Sequence, residues 1–382
     1  MSDLPFLPFA KPALSEAAIA EVVETLRSGW ITTGPRVQKF EEMLAAYHGG
    51  RRALTLTSAT AGLHLALLSL GFAEGDEVIT TPLTFVATLN TIVLAGGKPV
   101  LVDIDPNTLN IDVSRIEAAI TKKTRVIMPV HFAGLPCDMD AIYALAKKHK
   151  LRVVEDCAHA IGAEYKGNKL GSFGDIVVMS FHPNKNMTTG EGGAVITSDE
   201  SVINAIERLR FHGIDRNAFN RFAKGGKQQY DVVLPGFKYN MMDIQAALGI
   251  HQLPELDGFI KRRTELAHNY VKALSGWKEL ILPKPPGYDH KHAWHLFTPR
   301  LTGMDRDAFI DAMKAENIGI GLHYQSTHVF SWYHEQYGWQ PSDFPHALKA
   351  GDSVVSLPLF PTMTDAEQAR VIKSLEKVLK RG

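Results

Sequence analysis

DIVVMSFHPNKNMTTGEGGAVITS, residues 175–198, sets two apolar runs, DIVVMSF and AVITS, around a loop of small, polar and glycine residues. Short runs rich in Val and Ile suit strands covered on both faces. The loop carries one lysine, Lys185. Outward from it the same texture recurs at DEVITT (76–81), KPVLVDID (98–105), RVIMPV (125–130) and RVVEDC (152–157). Helical patterns lie between several of these runs. TAGLHLALLSLG places Leu63, Leu67 and Leu70 on one face, and DMDAIYALAKKHK (138–150) ends in the basic last turn that a helix C-terminus prefers. Strand alternating with helix predicts an α/β layer structure around a mainly parallel sheet.

Beyond residue 243 the texture changes. DIQAALGIHQLPEL and FIKRRTELAHNYVKAL (259–274) read as two helices, with Pro254 marking a kink or join between them. AWHLFTPRL reads as a strand and RDAFIDAMKAENI as a helix. The last helix, TDAEQARVIKSLEKVLK, opens with Thr364 and Glu367 spaced as a capping box. The expected division is a large α/β domain over 1–250 and a smaller α+β domain over 251–382.

Lys+Arg and Asp+Glu are equal at 41 each in 382 residues, which argues against a nucleic-acid or anionic membrane partner. Two cysteines, Cys137 and Cys157, with no CxxC pair, argue against a disulfide framework or a cysteine-rich metal site. The N-terminal stretch lacks a secretory leader pattern, and no window approaches the ~18 apolar residues of a membrane span. A cytoplasmic protein is expected. There is no GxxxxGK[ST] loop and no GxSxG elbow. HEQYG (334–338) begins like HExxH, but Gly338 stands where the second ligand belongs.

A lysine in a loop is ordinarily a solvated surface residue. Three features point elsewhere for Lys185. RVVEDCAHA puts Asp156 where a buried strand gives way to loop, the edge at which parallel sheets bind ligands. TSATAG (57–62) leads into a helix whose free N–H groups and dipole favour an anion. Ser180 lies at the same sheet edge. An amine, a carboxylate and an anion cradle together fit pyridoxal phosphate (PLP): the lysine takes the aldehyde, the aspartate keeps the ring nitrogen protonated, and the cradle holds the phosphate.

With these residues in place the chain resembles the nucleotide-sugar aminotransferase family of PLP enzymes (the DegT type), with an aspartate-aminotransferase-like fold of type I. The likeness runs from SGWITTGP (28–35) to SLPLFP (356–361), through SATAGLHLAL, EGDEVITTPLTF, VEDCAHAIGAEYKG, SFHPNKNMTTGEGG, GFKYNMMDIQAALG and HAWHLF. SATAG, GFKYN, AWHLF and GIGLHY carry a closer similarity to UDP-4-amino-4-deoxy-L-arabinose aminotransferases.

The resemblance implies Lys185 as the Schiff-base lysine, Asp156 as partner of the ring nitrogen and His159 as a hydrogen-bond partner of the ring's phenolic oxygen. It implies Ala59, Thr60 and Ser180 at the phosphate and Phe85 stacked on the ring. A loop usually read GYNYR completes the neighbouring subunit's site in this family. Here it is GFKYN, with Lys238 and Asn240 at the altered positions, so a homodimer with shared sites is expected. Trp30, Thr33, His323, Tyr324 and His328 are candidate sugar contacts, although each also suits a loop, packing or interface role. The implied reaction moves an amino group from L-glutamate, leaving 2-oxoglutarate, to a nucleotide-linked 4-keto sugar. A UDP-linked pentose comes first, and a dTDP- or GDP-linked 4-keto-6-deoxyhexose second. Sugar dehydratases of the same family carry His in place of the lysine, so Lys185 argues against that chemistry. A sensor that keeps the fold without turnover is the remaining rival.

Overall fold

The computed structural model describes residues 5–215 and 230–379. In chain order its strands are β1 (Arg52–Leu56), β2 (Glu77–Thr80), β3 (Lys98–Leu101), β4 (Thr124–Ile127), β5 (Arg152–Asp156), a small hairpin of β6 (Glu164–Tyr165) and β7 (Asn168–Lys169), then β8 (Ile176–Ser180) and β9 (Gly193–Thr197). Seven of them form one sheet in the order β1-β9-β8-β5-β4-β2-β3. β3, β2, β4, β5 and β8 are mutually parallel, and β9 runs against both β8 and β1. The sheet is therefore mainly parallel, as the alternation predicts. β1, at RALTL, is an additional strand.

The helices before residue 210 are α1 (Glu16–Ser28), α2 (Pro35–Tyr47), α3 (Ala59–Ser69), α4 (Val86–Leu94), α5 (Val113–Ala119), α6 (Met139–His149) and α7 (Glu200–Leu209). Strand β8 explains why the sheet needs cover on both faces. Its alternate residues Val177 and Met179 join Phe40, Leu44 and Leu256 on one side, while Ile176 and Val178 join Leu63, Leu67 and Ile203 on the other. Gly62 lets α3 lie close on the sheet, because a Cβ there would stand 2.6 Å from Val178 Cγ1.

From residue 243 one helix, α8 (Asp243–Leu274), runs for 32 residues with Pro254 inside it. This corrects the expected join. Proline removes one donor, but Ile250, Leu253, Leu256 and Ile260 are buried on both sides of it and hold the helix to its neighbours. The remaining elements are β10 (Leu280–Ile281), β11 (His290–Lys291), β12 (Arg300–Leu301), α9 (Arg306–Ala315), α10 (Ser331–Tyr337), α11 (Pro345–Ser353) and α12 (Asp365–Leu379). AWHLFTPRL is extended only in part: Arg300–Leu301 pairs with β10, and Phe297 makes an isolated bridge to Leu357. The capping box at Thr364 is present, with Thr364 N–H donating to Glu367 Oε2 at 2.7 Å and Glu367 N–H to Thr364 Oγ1 at 3.1 Å. Leu7 packs in the same apolar cluster as Leu266, Phe309 and Leu375, so the N-terminal segment is joined to the C-terminal elements.

Buried Arg51 ties the start of β1 to the turn before β8. Its guanidinium donates to the carbonyls of Gly171, Phe173, Gly174 and Asp175. Arg51→Met keeps the aliphatic stem and leaves those carbonyls without a donor. A loss of about 2–4 kcal/mol is expected in chemical denaturation. A midpoint equal to wild type would show that water replaces the guanidinium.

Candidate active site

The C-terminal ends of β5 and β8 and the N-terminus of α3 open onto one cavity of about 320 Å³. Its lining brings together Ala59, Thr60, Phe85, Asp156, His159, Ser180, Lys185, His323 and Tyr324. Each arrives for a local reason. Asp156 is the last residue of β5, and Ser180 the last of β8. Lys185 sits in a turn held by its N–H to His182 O at 2.9 Å. Ser58 caps α3 by accepting from Ala61 N–H at 3.1 Å. The N–H groups of Ala59 and Thr60 then lie in the first turn, where a helix has no internal acceptors for them. Gly193 at the start of β9 lets that helix end approach, since a Cβ would meet Ala59 N at 2.5 Å.

Asp156 is buried. Its Oδ2 accepts from Thr88 Oγ1 at 2.8 Å and its Oδ1 from Ala158 N–H at 3.2 Å. The Thr88 hydroxyl proton is thus committed, so Thr84, at 2.8 Å, donates to Thr88. Burial pushes the Asp156 carboxyl above its usual range, while Thr88, Ala158 and the Lys185 charge pull it back. A cation placed at this carboxylate would complete the compensation.

Lys185 is half-buried and lines the cavity, and burial lowers its amine from 10.5 to about 8. Asp156 opposes that shift. A neutral amine is the nucleophilic form, so capture of PLP by the cofactor-free protein should accelerate about tenfold per pH unit up to pH about 8 and then level off. Stopped-flow absorbance of the visible cofactor band tests this. A rise continuing to pH 10 would mean an ordinary, solvated lysine.

His159 has a defined tautomer. Its Nδ1 accepts from Ala133 N–H at 3.2 Å, which leaves the proton on Nε2 to donate to Tyr324 Oη at 2.8 Å. Burial, then the Lys185 charge, hold this imidazole neutral, well below its usual value. The Tyr324 phenol also stays neutral, pushed up by burial. His323 accepts or donates through Nδ1 to Ser356 Oγ at 2.8 Å and is lowered to about 3, mainly by burial. Phe85 is half-exposed at the cavity wall, 5.8 Å from the Tyr324 ring.

The other sequence candidates lie elsewhere. Trp30 is exposed, and its indole donates to Thr33 O at 3.1 Å. Lys238 Nζ donates to Asn240 Oδ1 at 2.6 Å, Asn240 Nδ2 to Thr33 Oγ1 at 2.5 Å, and Thr33 Oγ1 to Met241 O at 2.5 Å. These four residues form one chain of contacts outside the cavity lining. His328 is a correction. It is fully buried between Ser326 Oγ, 2.8 Å from Nδ1, and Pro341 O, 3.3 Å from Nε2, against the Phe344 ring. Both nitrogens are used within the fold.

His295, in AWHLF, stands between small-domain packing and a candidate role raised by the family resemblance. It is buried, lines the cavity 4.5 Å from the His159 ring, and neither ring nitrogen has a hydrogen-bond partner. In AWHLF its apolar neighbours make it read as packing.

These residues fit PLP. The first turn of α3 with Ser180 suits a phosphate, the uncompensated Asp156 suits a protonated ring nitrogen, and Lys185 supplies the amine. The comparisons agree. The model of the DegT/DnrJ/EryC1/StrS aminotransferase family matches residues 12–376. The chain is 45% identical over 380 residues to the spore coat polysaccharide biosynthesis protein SpsC of Bacillus subtilis, covering 98% of this chain and 97% of that one. It superposes on the PLP form of the putative sugar aminotransferase Spr1654 of Streptococcus pneumoniae with a TM-score of 0.91, at 32% identity, over 98% of this chain and 99% of that one. Helicobacter pylori PseC, an aminotransferase involved in the biosynthesis of pseudoaminic acid, superposes with a TM-score of 0.90 at 28% identity, over 99% and 100% of the two chains. Match and geometry converge: the chain belongs to the DegT/DnrJ/EryC1/StrS family and is a PLP-dependent sugar aminotransferase.

Proposed function

We propose that the enzyme transfers the amino group of L-glutamate to the 4-keto carbon of a nucleotide-linked sugar, first a UDP-linked pentose. The observation that carries the reading is the pairing of a lowered-pKa amine, Lys185, with the buried carboxylate Asp156 in one cavity. Bound PLP supplies the electron sink for the bonding electrons left when the donor's α-carbon loses its proton. Lys185 would hold the cofactor's aldehyde carbon and, when freed, would carry the proton. Asp156 would keep the ring nitrogen protonated. His159, neutral and with its tautomer fixed by Ala133 N–H, would turn its one Nε2 proton from Tyr324 to the ring's phenolic oxygen. Ala59, Thr60 and Ser180 would hold the phosphate, and Phe85 would lie against the ring.

The working unit is a homodimer. Ile19, Val23, Leu26, Trp30, Ile31 and Met242 are exposed apolar residues of one region, which supports self-association. Asn240 uses both ends of its amide within its own chain, whereas Lys238 spends one of three N–H donors on it. Lys238 is therefore the residue that reaches the partner's phosphate. Trp30 and Thr33 from the same region, with His323 and Tyr324 from the cavity, contact the sugar nucleotide.

The test is an absorbance spectrum of the purified protein before and after L-glutamate, followed by a panel of 4-keto sugars on UDP, dTDP and GDP. A visible cofactor band that glutamate abolishes, and that the UDP-4-keto-pentose restores fastest, supports the reading. Faster restoration by a 4-keto-6-deoxyhexose assigns that sugar instead. A band indifferent to glutamate overturns the donor.

A further inference from the structure

A second cavity, of about 430 Å³, lies behind the catalytic one. The two share a wall one backbone thick. Phe132, Ala133 and Trp294 line the rear cavity, while His159 and His295 line the catalytic one. The wall is stitched by Ala293 N–H to Gly134 O at 2.9 Å and Leu296 N–H to Ala133 O at 3.2 Å. Gly134 is packed so closely that a Cβ would stand 3.0 Å from His159 O and 3.1 Å from His295 N. Ala133 N–H is also the group that fixes the His159 tautomer.

Three observations point to a ligand. The size falls in the range of small-molecule sites, about 300–1,000 Å³. Among the described residues seven non-glycine positions have φ in the left-handed region, and three of them, Leu109 (63°), Ala133 (57°) and Trp294 (45°), line this cavity. Such strain gathers where a site must keep a shape. The lining contains Lys284, Lys291 and Arg300 and no carboxylate. Glu164 neutralises Lys291 at 3.0 Å, and Asp105 lies near Arg300, but Lys284 stands exposed. Against this charge the cavity offers flat apolar surface, including Trp294 stacked on His292 with ring centres 3.9 Å apart.

We propose that the rear cavity is an effector site for a small organic anion with a planar ring, acting on the catalytic cavity through the shared wall. An occupant would press on Phe132, Ala133 and Trp294, and their neighbours in the wall hold His159 and His295. Nothing in this inference depends on which sugar is the substrate.

The probe is 1-naphthalenesulfonate, which is transparent where the cofactor absorbs, titrated calorimetrically into the PLP-loaded enzyme. Saturable binding is expected, at least about tenfold tighter than that of uncharged 1-naphthalenemethanol. Lys284→Glu, at an exposed position, should weaken binding about fivefold and leave basal turnover intact. Val271→Trp, which fills the cavity from α8, should abolish it. Saturation should also shift the pH midpoint of the visible cofactor band by a few tenths of a unit, because coupling between sites is reciprocal. Binding unchanged in Lys284→Glu and Val271→Trp, or equal binding of the uncharged analogue, overturns the site. Binding that leaves the cofactor midpoint unmoved overturns the effector role.

Discussion

Lys185→Ala is expected to lower turnover at least about 10³-fold and to leave PLP held by non-covalent contacts alone. Two roles end at once. The amine proposed to take the aldehyde is gone, and with it the proposed proton carrier, a role worth about 10²–10⁴-fold in enzymes generally. The fold should survive, because Lys185 lies on a turn fixed by backbone bonds and its side chain is reached from the cavity. Borohydride treatment should fix cofactor to the wild type and not to the variant. A rate within tenfold of wild type would assign the amine to another residue.

Asp156→Asn should lower kcat about 10²–10³-fold, the usual effect of removing one preorganised electrostatic group. The replacement keeps the volume and a bond to Thr88 but removes the charge proposed to keep the ring nitrogen protonated. The cofactor-free variant should be at least as stable as the cofactor-free wild type, because a buried carboxylate without a cation costs stability. Added PLP should then raise the melting temperature less in the variant. A kcat within threefold of wild type would remove Asp156 from the mechanism. Reduced stability without cofactor would make it a structural residue instead.

The sheet was legible because its strands are buried on both faces, so their sequence is apolar without interruption. The strand ends were legible for the same reason: Asp156 and Ser180 stand where the apolar runs stop. β1 escaped because RALTL alternates like either half of a short helix. α8 was divided at Pro254 because proline is a local signal, and the packing of Ile250 and Leu256 that overrides it is tertiary. His328 and His295 exchange places for a related reason. A histidine in a polar loop looks available and one in an apolar run looks packed. Yet Ser326 and Pro341 consume the first, and nothing among the described residues consumes the second. Partner lists of that kind are not written in sequence order.

The contact of Gly193 with Ser58 and Ala59 acts as a mechanical gauge. It is backbone against backbone, so no rotamer can lengthen or shorten it. The strand leaving the Lys185 loop and the helix end proposed to hold the phosphate are thereby one rigid piece. The span between amine and anion cradle is built into the main chain before any cofactor arrives, and the cofactor must match it.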